Sequence, residues 1–153
     1  MTSPAPSTAQ APAQPESDRL PSVIIHRQLE WIDTDAAGHH HHSVVLRWVE
    51  AAESVLLDRL GVGHLFGRIP RVHYEVDYRS RLWHGQQVRI ELAIVRVGEK
   101  SMRYDFVVTS EGRVAATGNL VIAMAAPDSP HAVPWSDDVR RALTSNGGES
   151  APE

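Results

Sequence analysis

The part of the sequence best suited to chemistry is the segment DTDAAGHHHH, residues 33–42. It follows a predicted strand and precedes a predicted helix. A carboxylate placed there lies close to the positive end of the helix, where backbone N–H groups have no intrahelical acceptor. Those N–H groups can hold a carbonyl oxygen and the oxyanion that develops on it, while the carboxylate attacks the carbonyl carbon or deprotonates a water. The segment therefore has the parts of an acyl-transfer site, although its spacing also fits a solvated turn in which one aspartate bonds its own backbone.

Two elements must position this segment. Residues 23–32 mix β-branched and apolar side chains, which predicts a strand that leads into the loop. Over residues 43–60 the spacing predicts one long helix, because apolar side chains recur at Val45, Trp48, Val49, Ala52, Val55, Leu56 and Leu60. The polar residues that fall between them are Arg47, Glu50, Glu53, Ser54 and Asp58. Gly61 then supplies a C-terminal stop, because glycine accepts the left-handed conformation at little cost.

Beyond Pro70 the apolar period changes from helical to two, which is typical of strands. The first alternating set is Val72, Tyr74, Val76 and Tyr78. Three further strands are predicted over residues 88–97, 102–108 and 114–126, with turns at 98–100 and 111–112. The alternation slips at Ile94 and Val95, which indicates a bulge. Prolines then break the sheet, and residues 136–143 are predicted to form a short helix.

The element order is thus strand, long helix and four strands. Such a sheet has one apolar face, and the helix is the element long enough to cover it. We predict an α+β fold in which a curved antiparallel sheet of about five strands wraps round one long central helix, although other α+β sandwiches share this order. The folded domain is predicted to span residues 22–143. Segments 1–21 and 144–153 are poor in side chains to bury, which predicts disordered tails.

Composition excludes several classes of function. The formal net charge of −4 argues against a general nucleic-acid binder. The absence of cysteine excludes disulfides, thiolate zinc sites and cysteine nucleophiles. No secretory signal and no window as long as a membrane span is found. We therefore predict a cytoplasmic protein without a nucleic-acid or membrane partner.

The stretch WIDTDAAGHHHHSVVLRWVE, residues 31–50, resembles the signature of the 4-hydroxybenzoyl-CoA thioesterase family of the hot-dog-fold superfamily. That signature has D-x-D, two residues, glycine, a short run often ending in histidine, and a helix carrying aromatic-x-Glu. The residues in register are Asp33, Asp35, Gly38, His42, Trp48 and Glu50. The likeness continues through YRSRL at 78–82 and Gly85, and covers about residues 24–125.

The resemblance implies an acyl thioesterase that hydrolyses an acyl-CoA or acyl-carrier-protein thioester. The second aspartate of D-x-D, Asp35, would be the catalytic carboxylate, and Asp33 would be structural. A main-chain N–H at the helix start, here that of His42, would polarise the thioester carbonyl, with Gly38 helping to orient the substrate. The resemblance also implies that no metal or other cofactor is needed. It further implies a homodimer or homotetramer whose site lies between subunits, with the pantetheine arm threading the interface.

The chain departs from the family pattern before and after His42. Relatives usually carry an apolar pair and an aromatic residue where this chain has His39, His40 and His41. At the helix start they carry Asn or Ser and then Tyr, where this chain has Val44 and Val45. The acyl pocket is therefore expected to have a different shape.

Several alternatives stay open at this point. The four histidines suggest a metal site, but adjacent side chains of an extended loop point in different directions. Glu50 is a runner-up catalytic base, with a solvent or interface residue paired to Arg47 or another base as its simpler interpretation. The basic residues Arg79, Arg81, Arg96, Lys100 and Arg103 suit CoA phosphates, an acidic carrier protein or plain solubility. A catalytically silent acyl-binding or interaction module, and a hot-dog dehydratase with a histidine–acid pair, complete the alternatives.

Overall fold

A computed structural model describes residues 19–145 of the protein and has the element order that the sequence predicts. The predicted tails lie outside the described residues, except for 19–21 and 144–145. In chain order the elements are β1 (Ser22–Gln28), α1 (Val44–Arg59), β2 (Arg71–Tyr78), β3 (Gln87–Val97), β4 (Ser101–Ser110), β5 (Arg113–Ala123) and α2 (Asp137–Leu143). Short 3-10 turns at Trp31–Asp33 and Gly63–Leu65 flank α1. No helix in the range 19–145 is long and apolar enough to cross a membrane.

The five strands form one antiparallel sheet in the order β1-β3-β4-β5-β2. Strands β3, β4 and β5 are a meander, while β1 and β2 are added at its two sides and become the edges. The register between β3 and β4 shifts between Ile94 and Arg96, so the predicted irregularity is confirmed. The curved sheet and the helix that crosses it confirm the predicted hot-dog architecture.

The core lies between α1 and the inner face of the sheet. Alternate residues of β3 and β4 are buried because successive side chains of a strand point to opposite faces. The helix buries its predicted apolar stripe against them, including Trp48, Val49 and Leu56. Burying a side chain of this size stabilises a fold by about 2 kcal/mol. Packing therefore fixes where the start of α1 sits, and with it the preceding loop.

Two predicted strand ends are wrong by three or more residues. Strand β5 ends at Ala123 instead of residue 126. Strand β1 ends at Gln28 instead of residue 32, because the Glu30 N–H donates to the Asp33 carboxylate and the chain forms the 3-10 turn there. Trp31 is consequently 78% exposed. In β2 the alternating apolar residues are covered unequally: Tyr74 and Val76 are partly buried, whereas Val72 and Tyr78 are exposed.

Candidate active site

Asp33 anchors the loop between β1 and α1. Its carboxylate is buried, and its two oxygens accept hydrogen bonds from the Glu30 N–H (2.8 Å) and from the Arg47 guanidinium (3.0 Å). Its carbonyl accepts the His41 N–H at 2.7 Å. These hydrogen bonds of Asp33 thus join the segment after β1, the loop and α1.

Asp35 lies at the centre of a tight turn. Its Oδ1 accepts the Ala37 N–H at 2.8 Å, its carbonyl accepts the Gly38 N–H at 3.0 Å, and its own N–H donates to the His39 carbonyl at 2.9 Å. Gly38 has φ +85°, a left-handed conformation that glycine adopts without strain. The simple turn interpretation of Asp35 therefore accounts for one carboxylate oxygen, and Oδ2 makes no hydrogen bond within residues 19–145.

His40 is buried beneath the loop. Its ring Nδ1 accepts the Leu82 N–H at 3.1 Å, and its main-chain N–H donates to the Leu82 carbonyl at 2.8 Å. Because Nδ1 accepts, the neutral ring carries its proton on Nε2. Burial lowers the pKa of His40, and the neighbouring His39 lowers it further. His40 is therefore a neutral structural histidine whose ring lies 5.9 Å from that of Tyr78.

Ser43 is the N-cap residue of α1, and its side chain makes no capping hydrogen bond to the helix. His41 Nδ1 lies 2.7 Å from Ser43 Oγ and 3.2 Å from the Ser43 nitrogen. The His42 carbonyl accepts the Tyr78 hydroxyl at 2.7 Å. Within residues 19–145, the main-chain N–H of His42 makes no hydrogen bond. This N–H is thus available to an added ligand.

A cleft of about 390 Å³ opens between this loop and the end of β2. Its lining residues are Asp35, His39, His40, His42, Tyr78, Arg79, Ser80 and Arg81. The structure therefore brings together Asp35 and His42, but Gly38 and Glu50 are not among the lining residues. The Gly38 N–H is already used inside the turn, so Gly38 shapes the loop without lining the cleft.

The predicted basic group is divided between two places. Arg79 and Arg81 line the cleft. Arg96, Lys100 and Arg103 instead belong to the β3–β4 hairpin, where Arg103 pairs with a neighbouring aspartate.

Glu50 lies on the exposed side of α1. Its side chain is 47% exposed, and Oε1 lies 3.6 Å from Arg71 Nε. The basic partner is therefore Arg71, because Arg47 is engaged by Asp33. These contacts fit the simpler interpretation of Glu50 as a surface residue.

Glu53, which the periodicity placed among the polar positions of the helix, is fully buried. Arg71 donates to both of its oxygens, with Nη1 at 3.3 Å from Oε1, and the Tyr104 hydroxyl donates to Oε1 at 3.3 Å. Burial raises the pKa of Glu53, and the Arg71 charge opposes that rise. The signal for this burial in the sequence is the place of Glu53, one position after Ala52 of the apolar stripe.

No group of three or more histidine, aspartate or glutamate side chains within residues 19–145 is arranged to hold a metal ion. The histidine nitrogens of the loop are directed to different partners instead, to Leu82 for His40 and to Ser43 for His41.

The comparisons with known proteins agree on one family. The family model described as "Thioesterase-like superfamily" matches residues 29–143. A 1,4-dihydroxy-2-naphthoyl-CoA hydrolase from Synechococcus sp. (strain CC9605) is 31% identical over 111 residues, which are 65% of this chain and 74% of the relative.

Solved structures show the same fold. A predicted thioesterase from Bacillus stearothermophilus is 26% identical with a TM-score of 0.73, over 86% of this chain and 99% of that one. A gentisyl-coenzyme A thioesterase is 25% identical with a TM-score of 0.70, over 79% and 98%. The chain belongs to the thioesterase-like superfamily. The predicted class, a thioester hydrolase with a hot-dog fold, is confirmed.

Proposed function

We propose that the protein hydrolyses an aromatic acyl-CoA thioester to the free acid and CoA, with Asp35 as the reactive carboxylate. The observation that carries the proposal is the lining of one cleft by the Asp35 carboxylate and by the helix-start residue His42, whose N–H is free within residues 19–145. A carboxylate and an unused donor are the two groups that acyl transfer to water requires.

The proposed reaction divides the work between these two groups. The His42 N–H holds the thioester carbonyl and stabilises the oxyanion that forms when the carbonyl carbon becomes tetrahedral. Asp35 either takes the proton of the attacking water or attacks the carbon itself to give an anhydride that water then opens. In both cases the carbon–sulfur bond breaks, CoA leaves as the thiolate and is protonated, and the acid is released.

The aromatic substrate class is supported by the cleft and by the relatives. Tyr78 lines the cleft and is 45% exposed, and an exposed aromatic ring stacks on a flat acyl group. The relatives are named for 1,4-dihydroxy-2-naphthoyl-CoA and gentisyl-CoA, and both of these acyl groups are hydroxylated aromatics.

The cytoplasmic location of the protein stays a prediction.

The CoA moiety is proposed to use Arg79 and Arg81. Both line the cleft beside the reactive carboxylate, and guanidinium groups bind phosphate oxygens in a bidentate manner. An acyl-carrier protein would present acidic side chains to the same residues, so it is retained as the alternative form of the thioester.

We further propose that the active form is a homodimer joined along β2. Within the described sheet β2 pairs on one side only, with β5, and it exposes Val72 and Tyr78. An unpaired edge with apolar side chains is a template for another strand. Since Tyr78 also lines the cleft, a second copy on this edge would close the open side of the site.

A panel of thioesters tests the function. Release of free thiol is measured with purified protein on aromatic, short-chain and long-chain acyl-CoA esters and on a matching acyl-carrier-protein thioester. We expect the highest kcat/KM for an aromatic acyl-CoA. Hydrolysis of none of them would favour a silent acyl-binding module, and preference for the carrier-protein thioester would overturn the CoA assignment.

Light scattering tests the assembly. We expect twice the protomer mass for the wild type, and dissociation when Val72 is replaced by Lys, which places a charge on the proposed interface. A stable monomer with full activity would contradict the proposed dimer.

A further inference from the structure

Neighbouring residues hold both the backbone and the ring of His39. Its carbonyl accepts the Asp35 N–H at 2.9 Å, and its backbone forms a β-bridge with Trp83. Its ring stands edge-on to the Trp83 indole, with centroids 5.6 Å apart and planes at 89°. Both the backbone and the ring of His39 are therefore fixed relative to Asp35.

One nitrogen of this fixed ring lacks a partner. His39 Nδ1 is buried, and no group within residues 19–145 forms a hydrogen bond with it. A buried polar atom without a partner costs free energy, so it calls for an explanation. Nδ1 lies 3.8 Å from Asp35 Oδ2, which is longer than a hydrogen bond but close enough for a small movement to form one.

Of the four consecutive histidines, His39 is the one that presents a nitrogen to a carboxylate. Nδ1 of His40 is occupied by the Leu82 N–H, and Nδ1 of His41 by Ser43. The ring of His42 lies against that of His41, with centroids 4.1 Å apart and planes tilted by 33°. The pairing with Asp35 therefore belongs to one position and does not follow from the histidine-rich composition of the loop.

We propose that His39 is a positioning residue that donates its Nδ1–H to Asp35 Oδ2 when substrate fills the cleft. The inference rests on the proposed role of Asp35. The Ala37 N–H already holds Oδ1 at 2.8 Å, so a bond to Oδ2 would fix the plane of the carboxylate from both sides. Each carboxylate oxygen has two lone pairs, which leaves one free for the reacting water or the carbonyl carbon. Catalytic hydrogen bonds are often long without substrate and tighten in its complex.

Two substitutions distinguish the loss of the Nδ1–H donor from the loss of ring packing against Trp83. His39→Phe keeps a ring against Trp83 but removes the nitrogen, whereas His39→Asn places an amide N–H near the position of Nδ1. For loss of one charge-assisted hydrogen bond we expect His39→Phe to lower kcat about tenfold with little change in KM. His39→Asn should stay within about threefold of the wild-type kcat, because the donor is kept. Thermal unfolding checks that both variants fold.

A double-mutant cycle with Asp35→Asn tests whether His39 acts through Asp35. If it does, adding His39→Phe to Asp35→Asn should change kcat little, because the group that it positions is already gone. Wild-type turnover in His39→Phe, an equal loss in His39→Asn, or an undiminished loss in the Asp35→Asn background would each overturn the positioning role. Native turnover in Asp35→Asn alone would instead refute the proposed function, and the positioning role with it.

Discussion

Replacing Arg71 by Met should show how strongly the buried carboxylate of Glu53 depends on its partner. Glu53 is fully buried, and Arg71 supplies its compensating charge and two of its three hydrogen bonds. Removing one partner of a buried pair leaves an uncompensated charge, at a cost of about 3–5 kcal/mol. Because the Arg71 side chain is 29% exposed, we expect the lower end, about 3 kcal/mol at pH 7.

The loss should depend on pH. Burial already raises the pKa of Glu53, and loss of the Arg71 charge, which opposes that rise, would raise it further. A carboxyl whose folded pKa exceeds its unfolded value contributes stability that is present at low pH and lost as pH rises through the folded pKa. The difference in unfolding free energy between wild type and Arg71→Met should therefore shrink as the pH is lowered from 8 to 5.

Urea denaturation followed by tryptophan fluorescence, at one fixed protomer concentration, measures both effects. The matched control is the double variant Arg71→Met/Glu53→Gln, which removes the unpaired charge together with its partner. It should lose less stability than Arg71→Met and show no such pH dependence. A loss below about 1 kcal/mol for Arg71→Met at pH 7, or equal losses in the single and double variants, would refute the reasoning.

Three further outcomes follow from the site and the sheet. Burial lowers the pKa of His40 from 6.5, so the stability that neutral His40 contributes is present above that value and lost as pH falls through the folded pKa. In urea titrations, the unfolding free energy of His40→Asn should therefore fall less on acidification than that of the wild type. Tyr78→Phe removes the bond to the His42 carbonyl and should lower kcat about tenfold in a thiol-release assay. Gly118→Ala would place a Cβ against the Glu75 carbonyl oxygen, inside van der Waals contact, and should cost about 3 kcal/mol, measured by thermal unfolding.

The elements of this fold were predictable where one periodicity dominates. The apolar stripe of α1 gave its range within one residue at each end, because packing and helical spacing agree there. The slip at Ile94 likewise gave the irregularity of β3. The alternation of β2 predicted a strand but not which of its apolar residues are covered, since Val72 and Tyr78 are exposed.

The candidate site was predictable in its position and only partly in its contacts. The loop before α1 contains Asp35 and His42, as expected, and the structure places both on one cleft. The Glu53 network was missed because its partners Arg71 and Tyr104 are 18 and 51 residues away along the chain. The different roles of the four histidines were also beyond sequence, since they depend on partners such as Leu82 that only the folded chain brings near.

The turnover number of Asp35→Asn on the best aromatic acyl-CoA ester tests the central claim most directly. Asparagine keeps the shape of the side chain and removes its anionic carboxylate, so kcat should fall by at least about two orders of magnitude, with a smaller effect on KM. Asp33→Asn is the matched control in the same loop and should act mainly through stability, because Asp33 is bound by Glu30 and Arg47. Near-native turnover of Asp35→Asn together with an inactive Glu50→Gln would contradict the account and move the chemistry to the helix; near-native turnover of both would rule out a carboxylate mechanism at either position.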